Sequence, residues 1–219
     1  MDGTMVDNMA YHAQSWLAFF ARREQNLDEA AFFAATAGRQ NHEIFRQFIA
    51  QDLSDAECAA LAHEKESMYR QLYAAHRAPV PGLLNLLAEA KAAACALAVG
   101  TAAPPENVAF ILDELALRPH FDAVVGSQEV ARGKPEPDIF LAAAERCGVS
   151  TEGCIVFEDA PLGVEAARRA GMPCIALCTT YDAAQFADFP NVVACIRDFS
   201  EISLPQLLAH LKPGLRKPS

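Results

Sequence analysis

Between residues 95 and 196 the chain alternates short apolar runs with helical stretches, and this alternation leaves few folds open to it. CALAVG (95–100), FDAVVG (121–126), CIVFED (154–159), PCIALC (173–178) and NVVACI (191–196) each have the length and composition of one buried strand. Between them lie residues 105–117, with Val108, Ile111, Leu112 and Leu115 on one side, and PDIFLAAAERCG (137–148), with Pro in its first turn and Gly at its end. LGVEAARRAG (162–171) is a further helix, closed by Gly171. Strands that are apolar throughout must be covered on both faces, and β and α units in alternation put the covering helices there. The expected fold class is therefore α/β, with a parallel sheet.

Residues 9–76 follow a different rule. Strand-like runs are absent and Ala, Gln, Glu and Leu abound, which predicts a bundle of about four short helices. Ile44, Phe45, Phe48 and Ile49 mark one apolar face, and Gly38 and Ser54-Asp55 punctuate the run. The breaker cluster Ala78-Pro79-Val80-Pro81-Gly82 ends it. The expected division is a core of residues 1–8 and 78–219 with residues 9–77 inserted, a size that 219 residues accommodate.

Lys+Arg 18 against Asp+Glu 28 gives a net charge of −10 without a basic tract, which argues against nucleic acid or anionic membrane as a partner. No run approaches 18 uncharged apolar residues, and MDGTMVDN lacks the basic-then-apolar order of a signal peptide. Seven cysteines without a C-x-x-C pair, several in apolar runs, read as reduced core thiols of a cytoplasmic protein. A monomer or a homodimer is expected.

Four segments fall at the chain start or at the carboxyl ends of predicted strands, where open α/β sheets bind ligands. The first is Asp2-Gly3-Thr4. The second is Thr101-Ala102-Ala103, with Pro104 announcing a helix whose amino end can offer backbone N–H groups to an anion. The third is Gly133-Lys134-Pro135-Glu136-Pro137-Asp138, and the fourth is Glu158-Asp159 within VFEDAPLGVEAA (156–167). Adjacent carboxylates at a strand end repel unless a cation neutralises them, and a fixed lysine or an oxygen-loving divalent ion can do so. Taken singly, each segment also has a plain reading: a solvated turn, a helix cap, a surface lysine and a solvated charge pair.

Together, in this order and spacing, the four resemble the motifs of the haloacid dehalogenase-like superfamily. That resemblance implies a Rossmann-like parallel sheet core carrying an inserted helical cap. It implies a Mg²⁺-dependent phosphotransferase in which an aspartate attacks phosphorus to form an aspartyl phosphate. By resemblance Asp2 is the general acid and base, and its backbone carbonyl is a metal ligand. Thr101, with Ala102 after it, holds phosphoryl oxygens, and Lys134 neutralises charge. Asp159 is a direct metal ligand, while Glu158 acts mostly through water on the metal. The family's leading aspartate would fall one residue before Met1, at the end of a central strand. A chain starting at Met1 is accordingly expected to be inactive and to forgo roughly 6–15 kcal/mol of burial from about four or five apolar side chains.

The inserted helices resemble the cap of β-phosphoglucomutase-like proteins. Asp7-Asn8-Met9-Ala10-Tyr11-His12 and Trp16 match its start, and Glu64-Lys65 with Tyr69 matches its lysine segment. The resemblance implies that His12 and Lys65 couple closure to a sugar phosphate, and it places Arg39 in the cap's specificity loop. The expected activity is hydrolysis of a small phosphate ester, with two alternatives: β-phosphoglucomutase chemistry, or phospho-ligand binding without catalysis.

Overall fold

A computed structural model describes residues 1–36 and 40–211. The chain divides into two compact units, one of Met1–Asp7 with Ala78–Ser219 and one of Asn8–Arg77.

Among the described residues the second unit holds four α-helices, α1 (Met9–Ala21), α2 (Glu29–Thr36), α3 (Asn41–Phe48) and α4 (Asp55–Tyr73). Ser54 caps α4, its hydroxyl accepting from Glu57 N at 3.3 Å while the Glu57 carboxylate returns to Ser54 N at 2.9 Å, which satisfies two amides a helix start leaves free. The core is aromatic: Trp16, Phe19, Phe20, Phe32 and Phe45 are buried with Ile44, and Phe48 and Ile49 pack on the margin. Such rings bury large areas and stack edge to face, as Phe19 and Phe20 do at 5.3 Å and 89°.

The first unit is the α/β layer structure that the alternation predicts. After α5 (Leu83–Ala92) come β1 (Ala98–Thr101), α6 (Pro105–Leu112), β2 (Ala123–Gly126), α7 (Asp138–Arg146), β3 (Val156–Glu158), α8 (Pro161–Arg169), β4 (Cys174–Leu177), β5 (Val192–Ile196) and α9 (Leu204–Ala209). All pairings among these strands are parallel. β4 is buried at every residue, as a strand covered on both faces must be. The strands fall into two sheets, β1-β2 and β3-β4-β5. An apolar cavity of about 280 Å³ is walled by Val99 and Gly100 of β1, Val156 and Phe157 of β3, and Leu87 and Phe140 from the helices, with Met1 and Thr4 also on its lining. Packed interiors tolerate few voids larger than a water molecule, so this one is a gap in the sheet layer, not a packing defect.

Two expectations need correction. The helix over 105–117 stops at Leu112, because the chain turns there: Leu117 N returns to Leu112 O at 2.7 Å and Ala116 takes a left-handed φ of 53°. The cysteines are free, but only Cys58 and Cys174 are buried, and Cys195 is exposed on β5, whose outward positions face water. Among the described residues no helix is long and apolar enough to cross a membrane.

Candidate active site

The acidic pair sits where the fold delivers it. Glu158 is the last residue of β3 and Asp159 begins the loop to α8; both are buried, at 5% exposure each. Carboxylates at that depth require partners. Glu158 finds the Lys134 ammonium in a close ion pair, and its Oε2 accepts from the backbone N of Asp159 at 3.1 Å. Lys134 also lies 4.8 Å from the centre of the Phe140 ring, a second favourable contact for a cation. Gly163, in the first turn of α8, permits this packing, because a Cβ there would overlap the Glu158 carboxylate.

Asp159 is held differently. Thr4 Oγ1 donates to its Oδ1 at 2.9 Å, and Thr180 Oγ1 donates to its Oδ2 at 2.7 Å. The Asp2-Gly3-Thr4 turn lies directly on it. Gly3 has a φ of 64°, and a Cβ at Gly3 would overlap the Asp159 carboxylate, so the position needs glycine on both counts. Thr179 Oγ1 donates to the Gly3 carbonyl, tying the turn to the loop that follows β4. Asp2 makes a parallel bridge with Val6, and Met5 N returns to Met1 O at 2.7 Å.

The two carboxyls are driven apart. Burial pushes Glu158 up, but the Lys134 ammonium overrides it and holds the group below the usual carboxylate range. For Asp159 burial and the neighbouring Glu158 charge act together and push the carboxyl up. Lys134 thus pairs with only one of the two buried acids, Glu158. A divalent cation with a preference for oxygen fits two adjacent carboxylates, since Mg²⁺ commonly takes one or two carboxylates and keeps waters.

Thr101 ends β1, buried at 3% exposure, and its hydroxyl accepts from Ala103 N at 3.1 Å, so the Thr101-Ala102-Ala103 turn leads tightly into α6, with Pro105 at its first turn. The structure therefore brings Lys134, Glu158 and Asp159 together with the turn that Asp2 begins, and sets Thr101 at a strand's carboxyl end.

In the helical unit a second polar cluster forms. Lys65 is 2% exposed; its Nζ lies 2.9 Å from Glu66 Oε1, 3.0 Å from His12 Nδ1 and 5.0 Å from the Trp16 ring centre. His12 stacks on Tyr69 at 3.7 Å, and Asn8 Nδ2 donates to the Tyr69 hydroxyl at 2.5 Å. Asn41 Nδ2 donates to Glu66 Oε1 at 3.0 Å. Burial raises Glu66, but Lys65, His12 and Asn41 outweigh it and the carboxyl is held low. Glu64 turns away to pair with Arg23 at 2.6 Å. Arg39 lies outside the described residues.

Sequence reasoning missed Thr179, Thr180, Glu66 and the role of Thr4. The threonine pair carried a usable signal, since it follows a predicted strand's carboxyl end.

Residues 1–171 match the family described as "Hydrolase: haloacid dehalogenase-like hydrolase". The chain is 34% identical over 175 residues to Fructose-1-phosphate phosphatase YqaB of Escherichia coli (strain K12), covering 80% of this chain and 92% of that protein. Among solved structures it is similar to a HAD hydrolase, family IA, variant 3 from Entamoeba histolytica, with a TM-score of 0.89, 27% identity and 96% of each chain covered. It is also similar to a mutant of CbbY from Rhodobacter sphaeroides in complex with Xylulose-(1,5)bisphosphate, with a TM-score of 0.81, 26% identity, and 94% of this chain and 96% of that chain covered.

Proposed function

Because the chain belongs to the haloacid dehalogenase-like hydrolases, we propose that it serves a Mg²⁺-dependent phosphatase acting on a small sugar phosphate. The observation that carries this reading is the buried Glu158-Asp159 pair with Lys134 against it and the Asp2-Gly3-Thr4 turn packed on it. Similarity to a fructose-1-phosphate phosphatase, and to a protein solved with a ketopentose bisphosphate, supports the substrate class.

In this scheme Glu158 and Asp159 hold the cation, and Lys134 and the Thr101-Ala102 turn hold phosphoryl oxygens. When bound, Mg²⁺ would supply positive charge that offsets the negative charge of the phosphoryl oxygens. Asp2 gives a proton to the leaving alcohol and then takes one from the attacking water. The nucleophile is an aspartate, as the family resemblance implies; it displaces the alcohol from phosphorus, and water hydrolyses the aspartyl phosphate in the second half-reaction. His12, Lys65 and Arg39 serve substrate selection.

The test is phosphate release from a panel of esters by a chain extended before Met1 with an apolar strand that ends in aspartate. Hexose and pentose phosphates should lead. Preference for nucleotides or phosphoglycolate contradicts the substrate class, and full turnover in EDTA contradicts the metal.

A further inference from the structure

The loop after β4 brings two consecutive hydroxyls to the acidic centre. Cys178 N donates to Ile196 O at 2.8 Å, so the strand ladder runs on to the residue before the loop and anchors it. Thr179 then donates to the Gly3 carbonyl and Thr180 to Asp159 Oδ2 at 2.7 Å, while Thr4 takes Asp159 Oδ1 at 2.9 Å. The two donors on Asp159 come from distant parts of the chain, one from the first turn and one from the loop beyond β4.

An aspartate's terminal torsion is soft, with broad, roughly two-fold preferences. A single donor leaves the carboxylate free to rotate about that bond. One donor on each oxygen removes the freedom, and because a carboxylate offers about four lone-pair sites, both oxygens keep capacity for a cation. We propose that Thr180 is a positioning residue that fixes the Asp159 carboxylate in its cation-binding orientation. The inference rests on the metal-centre reading above. Thr180 acts through Asp159, to which its hydroxyl donates.

The experiment is direct binding of Mn²⁺, a paramagnetic stand-in for Mg²⁺, to the 219-residue chain, with free ion counted by EPR and metal-free thermal melts run alongside. Thr180→Val keeps the shape and removes the donor, and it should weaken Mn²⁺ binding about 10- to 100-fold, the usual cost of losing a partner that orients a ligand. Thr180→Ser keeps the hydroxyl and should bind as the parent does. If the valine variant does not melt cooperatively, Thr180→Ala carries the same comparison. Equal affinity in parent and donor-less variant overturns the inference and leaves the metal centre standing. Equal loss in the serine and valine variants also overturns it, since the hydroxyl would then not be the cause. A parent that binds no Mn²⁺ overturns the metal-centre reading itself, and the inference with it.

Discussion

The ammonium of Lys134 lies against the carboxylate of Glu158, not against its neighbour Asp159, so the fixed cation of this site is committed to one of two buried acids. Removing one partner of a buried ion pair leaves the other as an uncompensated charge, which typically costs about 3–5 kcal/mol. Lys134→Met should therefore lower stability by about that amount, and Lys134→Met/Glu158→Gln should recover most of it. Urea melts of the parent, both single variants and the double variant check this. Additive losses would mean the two side chains are not energetically paired.

Asp159 gives a pH dependence of known sign. Burial first, and the Glu158 charge second, raise its folded pKa above the unfolded value of about 3.9. Folding thus favours the protonated form, and the stability this contributes is full below the unfolded pKa and lost as pH rises through the folded one. In EDTA, Asp159→Asn should melt higher than the parent at neutral pH, by roughly 2–4 °C for each kcal/mol relieved. The gap should close as pH falls. Added Mg²⁺ should raise the parent's melting temperature and leave that of Asp159→Asn nearly unchanged. A parent indifferent to both pH and Mg²⁺ would rule out the strained acid.

Glu66 has the opposite sign. Although its burial works the other way, Lys65 with His12 and Asn41 holds its carboxyl low, so its contribution is present above the unfolded pKa, about 4.3, and lost as pH falls through the folded value. Glu66→Leu leaves the buried Lys65 ammonium without its carboxylate and should cost about 3–5 kcal/mol at neutral pH. Lys65→Met/Glu66→Leu, which removes both charges, should sit close to the parent. Denaturant melts at pH 7 and pH 3 read both effects, and a single variant as stable as the parent would show the pair to be solvated.

How much of this was legible in the sequence follows from what kind of force makes each part. β4 was readable because burial on both faces requires an unbroken apolar run, and CIAL is one. The Lys134–Glu158 pairing was readable as a need, since two adjacent buried carboxylates demand a nearby cation. Its assignment to Glu158 was not, because that depends on the side-chain approach that Gly163 allows. Thr180 carried only its place after a strand, and a threonine there is an ordinary turn residue until the fold sets it 2.7 Å from a buried oxygen 21 residues away. Cys195 was misread because composition cannot tell an outward position of β5 from an inward one unless register is known.

The gap in the sheet layer supports the last prediction. β1 pairs with β2 and β3 with β4, and the cavity has Val99 of β1 and Val156 of β3 on its walls, with Leu87 of α5 and Phe140 of α7. A space with strands on its walls and apolar side chains lining it has the polarity that a buried strand requires. Met1 lines it and begins the turn that reaches Asp159 through Thr4, so a strand joined to Met1 would deliver its last residue beside the acidic pair. Filling the space with about four or five apolar side chains, at roughly 1.5–3 kcal/mol each, adds roughly 6–15 kcal/mol before entropy is charged against it. That is comparable with the whole stability of a typical domain. An added strand of apolar residues ending in Phe-Asp should therefore raise the melting temperature by on the order of 10 °C or more and yield Mg²⁺-dependent phosphate release. The same strand ending in Phe-Asn should give the thermal gain without turnover, which separates filling the cavity from supplying the nucleophile. A polar strand of equal length should give neither. Thermal melts and phosphate release on the three extended chains beside the 219-residue chain decide the matter, and equal melting temperatures across all four would show that the cavity does not take a strand.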